Sequence, residues 1–429
     1  MDILLKKFFE PERWEYALEK GVGKDIRKCD LIQLSDPDVR VLMKRAIESG
    51  QYEIAPPHTA LIPKDTPGEF RTVYVNEPMD RILLSIVNDL LFESMPEMVH
   101  PHCKSYLKGV GCGQVVMEAS KVMKELAVGG QPIGFKSDLR KYFDRVPIEL
   151  IDAAFDRVED KWGRSSLIDV VRKYYHSDLY FDTDGNLQET YQSLKQGCSV
   201  ASWLADVVLY PVDEAMSQFR WCRRYSDDVL CLDADPCRAL DTLRTELGKL
   251  GIEVNEKKTE MLDGQHWFKF LGFSLRGGER SLSSTRIKTF QKEIEQRTIA
   301  VVKTKARAKA KVNAESVIKN VMRYLYRGDG QHSWATGVLR VINVKADIDQ
   351  LNEFAMDCIR AAITGKTKVG GLGYQSEGKH GCIARGTGKN VTSNRIKTGD
   401  DIGGYMTLGC MKNVLMTRRA VYDTLVRAL

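Results

Sequence analysis

The chain has 429 residues, enough for two or more hydrophobic cores, since a single core stops growing at roughly 250–300 residues. Its 64 basic and 58 acidic residues leave a net charge of +6, so nucleic-acid binding would depend on local basic patches. No stretch approaches the roughly 20 apolar residues of a membrane span, and the N-terminus lacks a secretory pattern, so we expect a soluble, cytoplasmic protein without a membrane partner.

The pattern of the first half predicts helices over residues 1–55, with Ser35 or Asp36 capping a helix that ends at Gly50. Turn residues around "RTVYV" then predict a β-hairpin, and "MDRILLSIVNDLLFESM" has apolar residues at helical spacing. The segment "GGQPIGFKSDLRKYF" predicts a turn and a short buried strand that ends at Asp138.

In the second half, residues 202–219 predict a helix, "WCRRYSDDVLCLDA" a β-hairpin, residues 236–251 an amphipathic helix, and residues 252–262 and 266–275 strands. From about residue 285 a long basic helix is predicted. Basic residues recur at every second position of this helix and form either a solvated face or a phosphate-binding face. These residues are Lys303, Lys305, Arg307, Lys309 and Lys311. The glycine- and lysine-rich stretch 365–404 has no periodicity and predicts a basic loop or a segment ordered by RNA.

The ten cysteines include no CxxC pair and no repeated ligand spacing, which predicts free thiols in a reducing compartment. His380 and Cys382 lie close together in "GKHGC", but two ligands do not make a metal site. We therefore predict neither a zinc site nor a disulfide.

Two adjacent aspartates, Asp227 and Asp228, lie in the predicted hairpin "RRYSDDVLCL". Like charges this close repel one another unless a cation lies between them, and carboxylates suit divalent metals. Asp138 supplies a third carboxylate from a predicted neighbouring strand, and the Leu139 carbonyl could add a fourth ligand. Such a set could hold the two metal ions of nucleotidyl transfer, although a DD pair alone is common on protein surfaces.

Three further segments accompany these carboxylates in order. "SLKQG" places Gln196 and Gly197 at a turn before a helix, "NEKKT" contains Lys258, and "FLG" predicts a tight turn at Leu271 and Gly272. The series D-x4-F, LKQG, YxDD, N-x2-KT and FLG resembles the palm of reverse transcriptases.

The resemblance extends upstream and covers about residues 58–275. "IPKDTPGEFRTVYVNEP" looks like the fingers of bacterial reverse transcriptases and implies that Lys64 and Arg71 contact the incoming dNTP, although ordinary basic surface is the alternative. Other contacts with dNTP are implied for Gln196, Gly197 and Lys258. "HCKSYLKGVGC" is similar to their template-strand segment. Template or primer contacts are thus implied for Ser105, Tyr106, Tyr225, Leu271 and Gly272.

One position separates two classes of polymerase. Viral RNA-copying polymerases usually have an aspartate five residues after the first metal ligand, where this chain has Phe143. In reverse transcriptases a bulky ring there blocks the ribose 2′-hydroxyl, which implies dNTP selection; packing of Phe143 in the core is the alternative.

The implied fold class is α+β, a right-hand polymerase with fingers, a palm containing an antiparallel sheet and a YxDD hairpin, a helical thumb and a basic C-terminal extension. The expected segments are an N-terminal helical segment (1–57), fingers (58–135), palm (136–285), thumb (286–364) and C-terminal extension (365–429).

The short thumb and basic tail look most like bacterial defence-associated reverse transcriptases, formerly classed as unknown groups and related to group II intron and retron enzymes. That resemblance implies two Mg²⁺ ions, with Mn²⁺ as a substitute, a structured noncoding RNA as template and scaffold, a DNA product and a role against phage. In the tail, Trp334, Tyr374 and Tyr405 are candidates for base stacking. No further acidic cluster predicts RNase H, and the oligomeric state stays open.

Three alternatives remain. One is the reverse transcriptase of a diversity-generating or other retroelement, although the residues after Gly197 match neither the G-x3-S-Q typical of diversity-generating enzymes nor the common Q-G-x3-S-P. A template-independent DNA polymerase of the abortive-infection type is another. The third is an RNA-binding protein that retains a polymerase shell without activity.

Overall fold

The computed structural model describes most of the chain up to residue 301 and shorter stretches beyond it. The described residues are 2–21, 26–64, 68–126, 131–301, 317, 320–321, 323–327, 334–344, 347, 350–351, 354–355, 358, 374–377 and 382–385. Tyr405 lies outside the described residues. The predicted basic helix face also lies outside them, and it consists of Lys303, Lys305, Arg307, Lys309 and Lys311. The predicted C-terminal extension contributes only its two short strands.

The described residues form helices and strands in a mixed arrangement. The α-helices are α1 (Ile3–Phe8), α2 (Pro11–Gly21), α3 (Lys28–Ser35), α4 (Pro37–Glu48), α5 (Pro78–Ser94), α6 (Cys112–Leu126), α7 (Tyr142–Arg145), α8 (Ile148–Trp162), α9 (Ser166–His176), α10 (Val200–Val207), α11 (Tyr210–Met216), α12 (Pro236–Lys249) and α13 (Ser284–Glu295). The strands are β1 (His58–Pro63), β2 (Phe70–Val75), β3 (Gly134–Asp138), β4 (Leu179–Phe181), β5 (Leu187–Glu189), β6 (Trp221–Tyr225), β7 (Asp228–Leu232), β8 (Glu260–Leu262), β9 (Phe268–Phe270), β10 (Phe273–Arg276), β11 (Glu279–Leu282), β12 (Tyr374–Glu377) and β13 (Cys382–Arg385).

The chain divides into two compact units. The first contains Met1–Val110 and Gly134–Met261, and the second contains Gly111–Ile133 and Leu262–Leu429. The strands form four sheets, with orders β2-β1-β4-β5, β6-β7-β3-β8, β11-β10-β9 and β12-β13. The prediction of mixed helix and sheet is confirmed. None of the described helices combines the length and apolar character needed to cross a lipid bilayer.

The first unit is built around one hydrophobic core. Helix α5 contributes an almost continuous buried face, and α8, α9 and α10 pack with it beside the sheet that contains β3 and β7. Two of the largest fully buried side chains are Trp203 and Phe135. Because a well-packed interior holds its backbone elements in place, this core fixes the strands on which the predicted carboxylates lie.

Local chemistry explains why several helices begin where the sequence predicts. Asp36 caps α4 by accepting a hydrogen bond from the Asp38 N–H, and Pro37 occupies the first helical position. That helix ends at Glu48, two residues before the predicted Gly50. Asp235 caps α12 in the same way, with Pro236 next.

Two predicted elements differ from the structure. The single helix predicted over residues 202–219 is two helices, α10 and α11, because Pro211 can neither donate a backbone hydrogen bond nor follow a helical turn without a clash. The strand predicted over residues 252–262 is shorter, and only β8 is regular. Upstream of it, the Asn255 carbonyl accepts from the Lys258 and Thr259 N–H groups, which closes a 3₁₀ turn instead.

Candidate active site

The hairpin β6-β7 and strand β3 bring the three predicted carboxylates together at one end of their sheet. Strand β7 pairs antiparallel with β3, and the register places Asp138 directly opposite Asp228. Strand β7 also pairs with β6, so that Ser226 and Asp227 form the two-residue turn between Tyr225 and Asp228. Opposed residues on paired strands point to the same face of a sheet, so the carboxyl groups of Asp138 and Asp228 share one face, and Asp227 lies next to them in the turn.

The carboxylates are crowded enough to affect one another. Burial, followed by the negative charge of Asp138, raises the pKa of Asp227. Burial and the charges of Asp227 and Asp138 raise the pKa of Asp228 to about 6. Both shifts mean that the ionised forms are disfavoured and would be stabilised by additional positive charge.

Basic side chains of the same unit partly supply that charge. Lys258 Nζ lies 2.8 Å from Asp138 Oδ2, and Asn255 Nδ2 lies 3.3 Å from Asp138 Oδ1. Lys258 also lowers the pKa of Asp227 and Asp228, and Arg71 lowers that of Asp227. Lys136 on β3 acts on Asp228 in the same direction.

The three carboxylates have the chemistry of a divalent-metal site but not its finished geometry. Among the described residues, no group of three or more His, Cys, Asp and Glu side chains is arranged as a finished metal site, and Lys258 lies against Asp138. The chemistry nevertheless fits, because Asp138, Asp227 and Asp228 lie together at one end of the sheet and provide the hard oxygen ligands that Mg²⁺ prefers. Burial and neighbouring negative charge raise the pKa values of Asp227 and Asp228. Leu139 is buried, and its N–H donates to the Asp227 carbonyl at 3.0 Å.

The predicted substrate residues lie in several places of the first unit. Lys64 and Arg71 are exposed on the β1-β2 hairpin, where Lys64 pairs with Glu69 at 3.6 Å. Phe143 is half-buried on α7, and its ring lies edge-on to Tyr142 at 5.7 Å between centroids. It also packs against the core, so its position is compatible with either predicted role.

Gln196 and Gly197 contact strand β2. The Tyr74 N–H donates to the Gln196 carbonyl at 2.7 Å. Gly197 has a φ of +109°, and a Cβ there would lie 2.8 Å from the Tyr74 carbonyl oxygen. Glycine is therefore required for close approach to the protein's own strand, whereas the resemblance implied a contact between Gly197 and dNTP.

The predicted template residues separate into two kinds. Tyr106 is 44% exposed, and its hydroxyl lies 3.1 Å from Ser226 Oγ. Ser105 is completely buried, and its hydroxyl bonds to Asp206 and to the Ser226 N–H. This burial corrects the prediction that Ser105 touches template or primer, because its polar atoms are used inside the protein.

In the second unit, Leu271 and Gly272 form the predicted tight turn between β9 and β10. Both residues have positive φ, and Arg286 Nη2 donates to the Leu271 carbonyl at 3.2 Å. The Arg286 guanidinium also lies 4.4 Å from the centre of the Phe273 ring. Trp334 lies edge-on to Phe290 at 5.0 Å between ring centroids, so this candidate for base stacking makes an aromatic contact within the protein.

Sequence reasoning missed the buried charges beneath the hairpin. Arg224, Asp206 and Asp213 are all at most 4% exposed, and Arg224 Nη2 lies 2.6 Å from Asp213 Oδ2. The signal was present, because two aspartates interrupt the apolar run "SWLADVVLYPVDEAM". Charged residues in an apolar run indicate a buried partner.

The paired strands and their carboxylates belong to a polymerase domain. Residues 62–275 match the family described as "Reverse transcriptase (RNA-dependent DNA polymerase)". The chain therefore carries a reverse transcriptase domain, the domain of an RNA-directed DNA polymerase, over about half its length.

Similarity to individual proteins is more distant. The chain is 24% identical over 178 residues to the "Putative COX1/OXI3 intron 1 protein" of Saccharomyces cerevisiae, covering 41% of this chain and 20% of that protein. Apo telomerase from Candida tropicalis is a structural neighbour with a TM-score of 0.42 and 14% identity, covering 73% of this chain and 58% of that one. Telomerase from Candida albicans, in complex with a TWJ fragment of telomeric RNA, has a TM-score of 0.38 and 13% identity, covering 74% and 60%. The chain thus spans about a fifth of the curated relative and less than two thirds of these telomerase chains.

Proposed function

We propose that this protein synthesises DNA on an associated structured noncoding RNA by two-metal nucleotidyl transfer. The observation that carries the proposal is the register of β3 and β7, which sets Asp138 opposite Asp228 beside the turn that holds Asp227. This register lies within the reverse transcriptase domain.

In the proposed reaction a primer 3′-oxygen forms a bond to the α-phosphorus of a dNTP. The bond from that phosphorus to the bridging oxygen breaks, pyrophosphate leaves, and the proton of the 3′-hydroxyl passes to solvent. Two Mg²⁺ ions, or Mn²⁺ in their place, would lower the pKa of the attacking hydroxyl and neutralise charge on the leaving group. Asp138, Asp227 and Asp228, with the Leu139 carbonyl, are the proposed ligands, and Lys258 would turn from Asp138 towards phosphate.

We assign dNTP binding to the surface around these carboxylates. The effect of Arg71 on the pKa of Asp227 supports a position near the triphosphate for that side chain. Phe143 would exclude the ribose 2′-hydroxyl by its bulk. The other proposed dNTP contacts are Lys64, Gln196, Gly197 and Lys258.

Nucleic-acid binding is proposed for surfaces around the hairpin and beyond it. Tyr106 is exposed beside Ser226, which supports a contact with template or primer. Tyr225, Leu271 and Gly272 are proposed for the same strands. The RNA contacts proposed outside the described residues are Lys303, Lys305, Arg307, Lys309 and Lys311.

The proposed domain plan is that of a right hand. Its segments are an N-terminal helical segment (1–57), fingers (58–135), palm (136–285), thumb (286–364) and basic extension (365–429). The motif resemblance to bacterial defence-associated enzymes supports an antiphage role in the cytoplasm.

The experiment is to sequence RNA and DNA that copurify with the protein from cells. Wild type is compared with Asp227→Ala/Asp228→Ala, and with a control, Asp160→Ala/Asp241→Ala, which removes two exposed carboxylates. We expect one dominant RNA in all three samples, with complementary DNA absent only from the Asp227/Asp228 variant. The same three proteins are tested for protection of cells against phage, which should follow the DNA.

Other outcomes would overturn parts of the proposal. Complementary DNA in the Asp227/Asp228 variant would refute the assigned chemistry. DNA of untemplated sequence would favour a template-independent polymerase, and DNA from many unrelated RNAs would remove the dedicated RNA. Phage protection that persists without DNA synthesis would refute the link between synthesis and defence.

A further inference from the structure

The turn that holds Asp227 has an unusual residue at its first position. Ser226 has a φ of +58°, in the left-handed region that glycine or asparagine usually occupies. Ser226 is also buried, so its backbone N–H and carbonyl need partners within the protein. Both groups are bonded to side chains: the N–H donates to Ser105 Oγ at 2.9 Å, and the carbonyl accepts from Arg224 Nη1 at 3.1 Å.

Arg224 is held from every side. Its Nε donates to Asp213 Oδ1 at 2.9 Å, and its Nη2 donates to Asp213 Oδ2 at 2.6 Å and to the Asp206 carbonyl at 2.8 Å. Its Nη1 donates to the Ala205 carbonyl at 3.1 Å as well as to Ser226. All five N–H groups of the guanidinium therefore have an acceptor, which fixes its plane and its position.

Ser105 is oriented in the same manner. Its hydroxyl donates to Asp206 Oδ1, which leaves an oxygen lone pair directed at the Ser226 N–H. Ser105 and Asp206 are both completely buried. A serine hydroxyl has one hydrogen, so the bond to Asp206 makes Ser105 an acceptor for the turn.

We propose that Ser105, Asp206, Asp213 and Arg224, here called the turn clamp, are positioning residues that hold Asp227 in the geometry needed for polymerisation. The carboxylates of Asp138 and Asp228 repel that of Asp227, so the turn tends to move away from them. The turn clamp resists this movement by fixing both backbone polar groups of the preceding residue. The inference rests on the proposed polymerase activity, and none of the four side chains is assigned a contact with substrate.

The experiment compares Ser105→Ala with a matched control, Ser165→Ala. Ser165 is 1% exposed and donates to Asp2 Oδ1 at 2.9 Å, so both variants remove a buried serine hydroxyl bonded to an aspartate in the first unit. Three quantities are measured for each protein: kcat and KM for dNTP incorporation on an RNA template, Mn²⁺ binding without substrate by electron paramagnetic resonance, and the melting temperature.

For Ser105→Ala we expect kcat to fall about 10- to 100-fold, because small misplacements of reacting groups have effects of that size. The KM for dNTP should change less than about threefold, and Mn²⁺ should bind about tenfold more weakly, since the ligand set is loosened. Ser165→Ala should lower the melting temperature but leave kcat and Mn²⁺ binding unchanged. Asp213→Asn, which keeps the shape but removes a charge, should behave as Ser105→Ala does if it folds.

Two results would overturn the inference. One is wild-type kcat and Mn²⁺ binding in Ser105→Ala. The other is an equal loss of kcat in both serine variants, which would reduce the turn clamp to a general stabiliser. Failure of the proposed function has a different signature, because wild type itself would then incorporate no dNTP.

Discussion

Replacing Lys195 with methionine should change how the stability of the protein depends on pH. Lys195 is 1% exposed, and its Nζ donates to the Ser177 carbonyl at 2.6 Å and to Gln192 Oε1 at 2.8 Å. Both acceptors are uncharged, and the ammonium lies 4.7 Å from the centre of the Tyr174 ring. Burial lowers the pKa of Lys195 from 10.5 to about 8.

The sign and size of the effect follow from this shift. Between about pH 8 and 10.5 the unfolded chain keeps a proton that the folded protein has lost, so the free energy of unfolding rises with pH. Below about pH 8 both states are protonated and the group adds no pH dependence. A difference of about 2.5 pKa units corresponds to a gain of about 2.5 kcal/mol between pH 7 and pH 10.

Urea unfolding at pH 7, 8, 9 and 10 provides the measurement, with Lys195→Met and a control variant beside wild type. The stability difference between wild type and Lys195→Met should grow by about 2.5 kcal/mol in favour of wild type across this range. Lys249→Met, which replaces a side chain that is 63% exposed, should keep the wild-type dependence. A constant difference between wild type and Lys195→Met would refute a buried ammonium.

Two further predictions test predicted dNTP-binding residues. Phe143→Val should lower the preference for dNTP over rNTP about 10- to 100-fold, because the smaller side chain admits a 2′-hydroxyl. The preference is measured as the ratio of the kcat/KM values for the two nucleotides. An unchanged ratio would show that Phe143 only packs in the core. Gly197→Ala should lower stability by about 1–3 kcal/mol, since the new Cβ would lie 2.8 Å from the Tyr74 carbonyl at a φ of +109°. Gly50→Ala, at a φ of +70° with no atom within 4 Å of the new Cβ, should lose less, and equal losses would contradict the steric reasoning.

Local signals account for the parts of the fold that the sequence predicts well. Asp36 and Asp235 each precede a proline and an apolar helical pattern, and both cap helices in the structure. The hairpin around Asp227 and the strand that ends at Asp138 are short buried runs bounded by polar residues, and both form where predicted. These features depend on neighbours within a few residues, which a sequence displays directly.

The missed features depend on contacts between distant segments. Ser105 precedes Ser226 by 121 residues, and nothing in "HCKSYLKG" shows that its hydroxyl faces inward. The resemblance implies template contacts for both Ser105 and Tyr106, but Ser105 is buried and Tyr106 is exposed. Adjacent residues can face opposite directions, so a motif that covers a segment does not fix the role of each of its side chains.

The carboxylates and the turn clamp can be understood as opposing parts of one arrangement. Two unit charges about 4 Å apart repel by roughly 4 kcal/mol at an effective dielectric of 20, whereas one hydrogen bond contributes about 1 kcal/mol. A single ladder hydrogen bond would therefore not hold a two-residue turn against crowded carboxylates. Ser226 is held from both its N–H and its carbonyl, and the Asp227 carbonyl accepts from the Leu139 N–H at 3.0 Å. Arg224 is itself fixed by Asp213, so several buried groups together oppose the movement of the turn away from the carboxylates. This role explains why charged residues that are costly to bury lie next to the turn.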